Sequence, residues 1–280
     1  KEDFRIDLAT GDVLFGKILD LTVDEVVLAG SRHGTVRIQR KFISSMRRLN
    51  NPALVFLGPS GLTGWSTLNA GRQISEWTAN ESGHLVTTKQ RAEVFHQFDL
   101  PNQVEYEITL ESTGVPSFLL AFNDQPYQSV RVETWGNELV VVSDEDFDPV
   151  MTLDATTRNL DLRLFWNRLE RELTLFSIKG KFLAKIKGSE DPSQKAGIYI
   201  RNKGLSLTVS KIRINNWNGD PPREVRSGEA RIHLVDGTIR YGSVRELSED
   251  KTYLIVDEEG QADPSMVALL DVDGVYLEAV

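Results

Sequence analysis

Cysteine is absent from all 280 residues, which excludes disulfides, thiolate metal sites and cysteine nucleophiles together. Histidine is scarce. His33, His84, His96 and His233 are the only four, and no H-x-H or H-E-x-x-H spacing connects them, so a histidine-based metal centre has no support. No apolar run approaches the ~20 residues of a membrane-spanning helix. A basic surplus is missing too: 32 Lys and Arg face 41 Asp and Glu, a net charge of −9. Residues 1–52 hold 9 basic and 7 acidic side chains, while residues 222–280 hold 6 and 13. Neither end has the footprint with which a sequence-independent nucleic-acid binder displaces phosphate counterions, so nucleic acid is not an expected partner. The serine-hydrolase pattern G-x-S-x-G fails as well, because "GPSGL" at 58–62 lacks its last glycine.

What remains is an ordinary globular composition, 40% hydrophobic and 26% charged, in a chain long enough for one large β domain or two to three smaller ones. It starts at Lys1 rather than Met, as a processed or trimmed form would. A location outside the cytoplasm, as for an exported bacterial protein, is the expectation carried forward.

The two ends repeat each other. "RIDLATGDVLFGKILDL" at 5–21 aligns without a gap on "RIHLVDGTIRYGSVREL" at 231–247, with 6 of 17 positions identical. Gly11 and Gly16 align with Gly237 and Gly242. Period-two alternation broken by turn residues makes each copy a small antiparallel barrel, whose second glycine sits inside a strand where a bend needs no side chain. "GDVLFGK" also imitates a phosphate-binding loop. That loop must open a helix, whereas residues 13–21 read as strand and Ile18 stands where Ser or Thr would hold Mg²⁺. The motifs "LATGDVLFGKI" and "LVDGTIRYGSV" resemble the Sm-like and SH3-like small barrels. The resemblance implies a fold only, since "LDLTVDEVVL" has Thr22 and Val26 near the positions of the family's RNA-contacting Asp and Asn.

Residues 53–219 alternate almost throughout, in segments such as "VEYEITLES", "SVRVETW", "LDLRLFW" and "GIYIRN". So many short strands in one block predict a two-sheet jelly-roll sandwich. "DPPREVRSGE" at 220–229 reads as a linker before the second barrel at 230–280. The order "LVFLGPSGLTGW", "EWTANESGHLVTT", "VFHQFDLPNQVEYEITLE" and "KAGIYIRNKGLSLTVSKIRINNW" resembles the concanavalin-like sandwiches, both the laminin-G type and the bacterial 3-keto-disaccharide hydrolase type. That resemblance implies a curved sandwich whose concave face meets carbohydrate. The centre, "VPSFLLAFNDQPYQSVRVETW", departs from the hydrolase branch by lacking its Asn-Ser-Gly-hydrophobic stretch.

The fold class expected is therefore all-β, a concanavalin-like sandwich (53–219) between two SH3/Sm-like barrels (1–52 and 230–280). Candidate ligand-binding residues are Arg131, Glu133 and Trp135 on one strand face and Asp161 and Arg163 on another, a mixture of flat ring and charged groups suited to sugars. Glu105 and Glu107 share a strand face and are the candidate catalytic pair, because glycoside hydrolysis uses two carboxyls. Asp144, Asp146 and Asp148 alternate in "SDEDFDP" and are the candidate Ca²⁺ ligands, although Pro149 stands where an EF-hand loop needs glycine. No other cofactor is expected. Non-catalytic recognition of a carbohydrate or protein leads. A sugar-cleaving enzyme and an assembly protein that oligomerises through barrel edges remain as alternatives.

Overall fold

The computed structural model describes residues 3–10, 12–49, 53–68, 74–144, 146–177, 180–188, 195–220, 225–226 and 228–277. Every pairing whose register is described is antiparallel, and the helical elements among the described residues are three 3-10 turns of 3 residues each. The chain divides into two compact units, one made of residues 1–54 and 220–280 and the other of residues 55–219. Gly11, Glu145, Lys179 and, in the linker, residues 221–224 and 227 lie outside the described residues.

The first unit begins with β1 (Phe4–Leu8), β2 (Val13–Leu21), β3 (Glu25–Gly30), β4 (Gly34–Gln39) and β5 (Ile43–Arg48). Because β2 runs as strand through Lys17 and Ile18, no helix N-terminus faces a phosphate there. At Gly16 the backbone is so close to β3 that a Cβ would lie 2.5 Å from the Ala29 carbonyl oxygen. Only glycine permits that approach.

The sandwich unit follows. Its eight-stranded sheet contains β6 (Leu54–Gly58), β7 (Thr78–Ala79), β8 (Leu85–Thr87), β10 (Gln103–Glu111), β15 (Asn159–Asn167), β16 (Glu172–Phe176), β17 (Phe182–Lys187) and β19 (Leu207–Asn216). Its six-stranded sheet runs in the order β14 (Phe147–Thr152), β13 (Glu138–Val142), β12 (Arg131–Trp135), β11 (Phe118–Asn123), β18 (Ala196–Asn202) and β9 (Glu93–Gln97). Alternate residues of both sheets, among them Tyr106, Ile108, Leu164 and Ile214 from one and Phe118, Leu120, Val132 and Ile200 from the other, interlock in one core. β10 shows the alternation in full, each buried residue followed by a half-buried one.

Residues Leu207–Asn216 form the single strand β19, in which Ser210 is an extra residue between Val209 (opposite Leu110) and Lys211 (opposite Thr109). That bulge moves the buried positions from Leu207 and Val209 to Ile212 and Ile214, which breaks the period-two pattern. The acidic stretch "SDEDFDP" ends in β14, an edge strand, which is where a strand can hold Pro149.

The chain then returns to the first unit as β20 (Arg231–Leu234), β21 (Ile239–Leu247), β22 (Tyr253–Glu258), β23 (Ser265–Ala268) and β24 (Val272–Tyr276). A Cβ at Gly242 would lie 2.3 Å from the Asp257 carbonyl oxygen, the same constraint as at Gly16. β5 and β24, the last strand of each copy, pair with each other, so all ten strands form one hydrogen-bonded path with β4 and β23 at its edges. Met46 lies opposite Val275 at the centre of this seam. Phe4, Ile6 and Met46 from the first copy and Ile232, Val256 and Val275 from the second share one hydrophobic core. The two ends are thus halves of one unit.

Candidate functional site

The register of the six-stranded sheet sets its outward residues in rows across the strands. Glu93, Arg201, Leu119, Glu133 and Val140 form one row, and Phe95, Tyr199, Ala121, Arg131 and Val142 the next. The apolar members Phe95, Leu119, Ala121 and Tyr199 are buried as a cluster separate from the sandwich core. A turn over residues 125–128, closed by the Gln128 N–H to the Gln125 carbonyl (3.0 Å), lies beside them with Pro126 in a position that suits its fixed φ. Tyr127 stands out from this turn, 53% exposed, and its hydroxyl accepts a hydrogen bond from the Arg201 guanidinium.

Tyr127 and Arg201 separate two open depressions. One, about 260 Å³, is lined by Leu68, Glu93, Asp124, Pro126, Tyr127, Tyr199 and Arg201. The other, about 280 Å³, adds Gln90, Arg91, Leu119, Glu133 and Lys203 to the shared pair. In the first, the Tyr199 hydroxyl donates to Glu93 at 2.8 Å. Burial, and then the neighbouring carboxylate, push the Tyr199 hydroxyl well above its ordinary value, so it remains a protonated donor. In the second, Glu133 accepts from Lys203 at 2.7 Å and from Arg131 at 3.0 Å. Burial alone would raise the Glu133 carboxyl, but hydrogen bonds from Lys203 and Arg131 outweigh it and hold the group below its ordinary value. Glu133 is therefore a fixed anion clamped by cations.

On either side of the Glu133 row stand the two rings of an aromatic pair. Trp135 lies opposite Glu138 and Phe147 opposite Val142, and their rings approach to 5.1 Å between centroids. Both rings are exposed, at 42% and 53%, while the outward Val140 between their positions is 2% exposed. The rings cover that valine and offer their other faces to solvent.

Arg131, Glu133 and Trp135 thus lie together on this face. Asp161 and Arg163 do not join them, because β15 belongs to the other sheet. There Arg163 donates to Glu105 at 2.6 Å and Asp161 accepts from Thr109 at 2.6 Å. Lys211 donates to Glu107, so both candidate catalytic carboxylates are tied into ion pairs on the eight-stranded sheet, away from the two depressions. Asp144, Asp146 and Asp148 are exposed, and Asp146 caps the Phe147 N–H at 2.8 Å. Among the described residues no three His, Asp or Glu side chains converge as metal ligands. Glu93, Arg91, Tyr127, Tyr199, Arg201 and Lys203 are the site residues the sequence reading missed. Tyr199 and Arg201 had a signal, since alternation in "GIYIRN" sets both on one face, but Tyr127 in a loop had none.

No protein-family model matches the chain, and no curated protein matches it. Solved structures similar to it include a sialidase, 11% identical with a TM-score of 0.44, covering 71% of this chain and 21% of its own. The chain thus spans about a fifth of that sialidase's length. The metal-free carbohydrate recognition domain of Emp46p is 12% identical with a TM-score of 0.36, covering 57% of this chain and 95% of its own. A carbohydrate-binding module from Bacillus subtilis is 10% identical with a TM-score of 0.36, covering 55% and 96%. No helix is long and apolar enough to cross a membrane among the described residues.

Proposed function

We propose that this protein binds carbohydrate, without cleaving it, on the outward face of its six-stranded sheet, in a sandwich of the concanavalin-like type. The observation behind this reading is the pair of depressions divided by Tyr127 and Arg201, where a flat exposed ring stands among convergent donors and acceptors. Sugars present hydroxyls on their edges and C–H faces above and below, so a ring to stack on and charged groups to accept or donate at its sides match them. Retaining or inverting cleavage needs one carboxyl able to give up a proton near neutrality. Glu133, held below its ordinary value by two cations, does not supply it. The double five-stranded unit acts in this reading as an adaptor built from two Sm-like barrels, and the protein works outside the cytoplasm.

Tyr127→Ala tests the proposal with little risk to the fold, since the ring is exposed. A glycan array should identify bound sugars for the native chain, and calorimetry should show about a tenfold loss or more in Tyr127→Ala, the usual scale of one lost stacking ring. An array without a binder, or a Tyr127→Ala affinity equal to native, would overturn it.

A further inference from the structure

The two depressions differ in charge. The first has the anions Glu93 and Asp124 against the cation Arg201, while the second has Arg91, Arg201 and Lys203 against Glu133 alone. A surplus of two positive charges in one hollow of a chain whose net charge is −9 is a local inversion. Three of those four groups are already engaged: Lys203 bonds Glu133, and Arg201 bonds Tyr127. Arg91 is different. It is exposed at the rim, and its guanidinium has no partner among the described residues.

Its backbone is held in place deliberately. Arg91 has φ +69, a left-handed conformation uncommon for a residue with a side chain. The Arg91 N–H donates to the Asn202 carbonyl at 2.8 Å, and the buried Asn202 side-chain amide donates to the Lys89 carbonyl at 3.0 Å. Asn202 ends the same strand that presents Arg201, so the turn carrying Arg91 is pinned directly beside the hollow. Such strain at a binding surface persists where the surroundings over-determine it.

We propose that the ligand is an anionic glycan, and that Arg91 reads its carboxylate or sulfate in the second depression while Glu93 and Asp124 in the first accept from neutral hydroxyls. This rests on the carbohydrate reading above and adds the ligand's charge. A guanidinium offers paired N–H donors that match both anions, and the unpaired Arg91 can turn toward either without breaking an existing bond. The surplus of cations also gives the encounter a salt dependence that a neutral sugar would not show.

The test uses the full chain and an array of paired glycans that differ in one group: uronic-acid oligosaccharides against their methyl esters, and sulfated oligosaccharides against desulfated counterparts. The acidic member should bind about threefold or more tightly in one of the two series, as a charge-assisted pair at an exposed rim implies. Whichever series responds identifies carboxylate or sulfate as the source. Arg91→Asn suits the left-handed backbone and removes the charge, so it should reduce the acidic member to the affinity of the neutral one. Arg91→Lys should keep part of the preference. Equal binding of acidic and neutral members, or a preference that survives Arg91→Asn, would overturn the inference while leaving carbohydrate binding intact. Absence of any binder would overturn both.

Discussion

Glu133 is the residue around which the charged half of the site is built, because Arg131 and Lys203 both donate to it. Its carboxyl lies below the ordinary value of 4.5. Folding therefore gains from the ionised form, and that gain is complete above pH 4.5 and disappears as pH falls through the lowered folded value. Glu133→Gln should cost about 1–3 kcal/mol near neutrality, chiefly by leaving two cations short of an acceptor. Urea unfolding across pH should show that difference shrinking in acid, and a difference independent of pH would contradict the clamp. Glu133 was legible in sequence, since "VRVETW" alternates around it. Its clamp was only half legible: Lys203 arrives from β18's end, and no local pattern pairs positions 133 and 203. The same limit explains Arg163. Its alternation was read correctly, but alternation says which side of a strand a residue takes and not which sheet the strand joins.

At the level of elements, the glycine spacing in β2 and β21 was the strongest signal in the chain, and its physical content is close approach. β2 and β21 span equivalent positions 226 residues apart, each with its glycine against a partner-strand carbonyl. Gly16→Ala and Gly242→Ala should each destabilise the first unit by about 2–4 kcal/mol, since a Cβ against backbone cannot be relieved by rotating a side chain. Gly237→Ala is the control: it has φ +85 but open space around it, so it should cost only about 1 kcal/mol. Gly242 adds φ +150 to its close approach, whereas Gly16 has the approach alone, so a Gly16→Ala loss no larger than that of Gly237→Ala would show that the approach does not decide. β14 and β19 carry weaker signals, for local reasons. An edge strand tolerates acids and proline that usually mark a loop, and one bulged residue divides a strand's pattern in two.

For the whole molecule, the seam between β5 and β24 is what a repeat count cannot show. Two copies in one chain could have been two independent modules, yet Met46 pairs with Val275 and the side chains of both copies share one core. The sandwich has a separate core of its own, drawn from residues 65–214. Met46 is fully buried, so Met46→Ala should cost about 2–5 kcal/mol through the cavity it leaves. If the shared core makes the ten strands one cooperative unit, that loss should reach the second copy, 170 residues and more along the chain. Hydrogen exchange should show protection falling together in β1–β5 and β20–β24, with β10, β15 and β19 unchanged. Loss confined to β1–β5 would mean that the seam joins two separately folding halves, and the pairing of Met46 with Val275 would then be a contact without thermodynamic consequence.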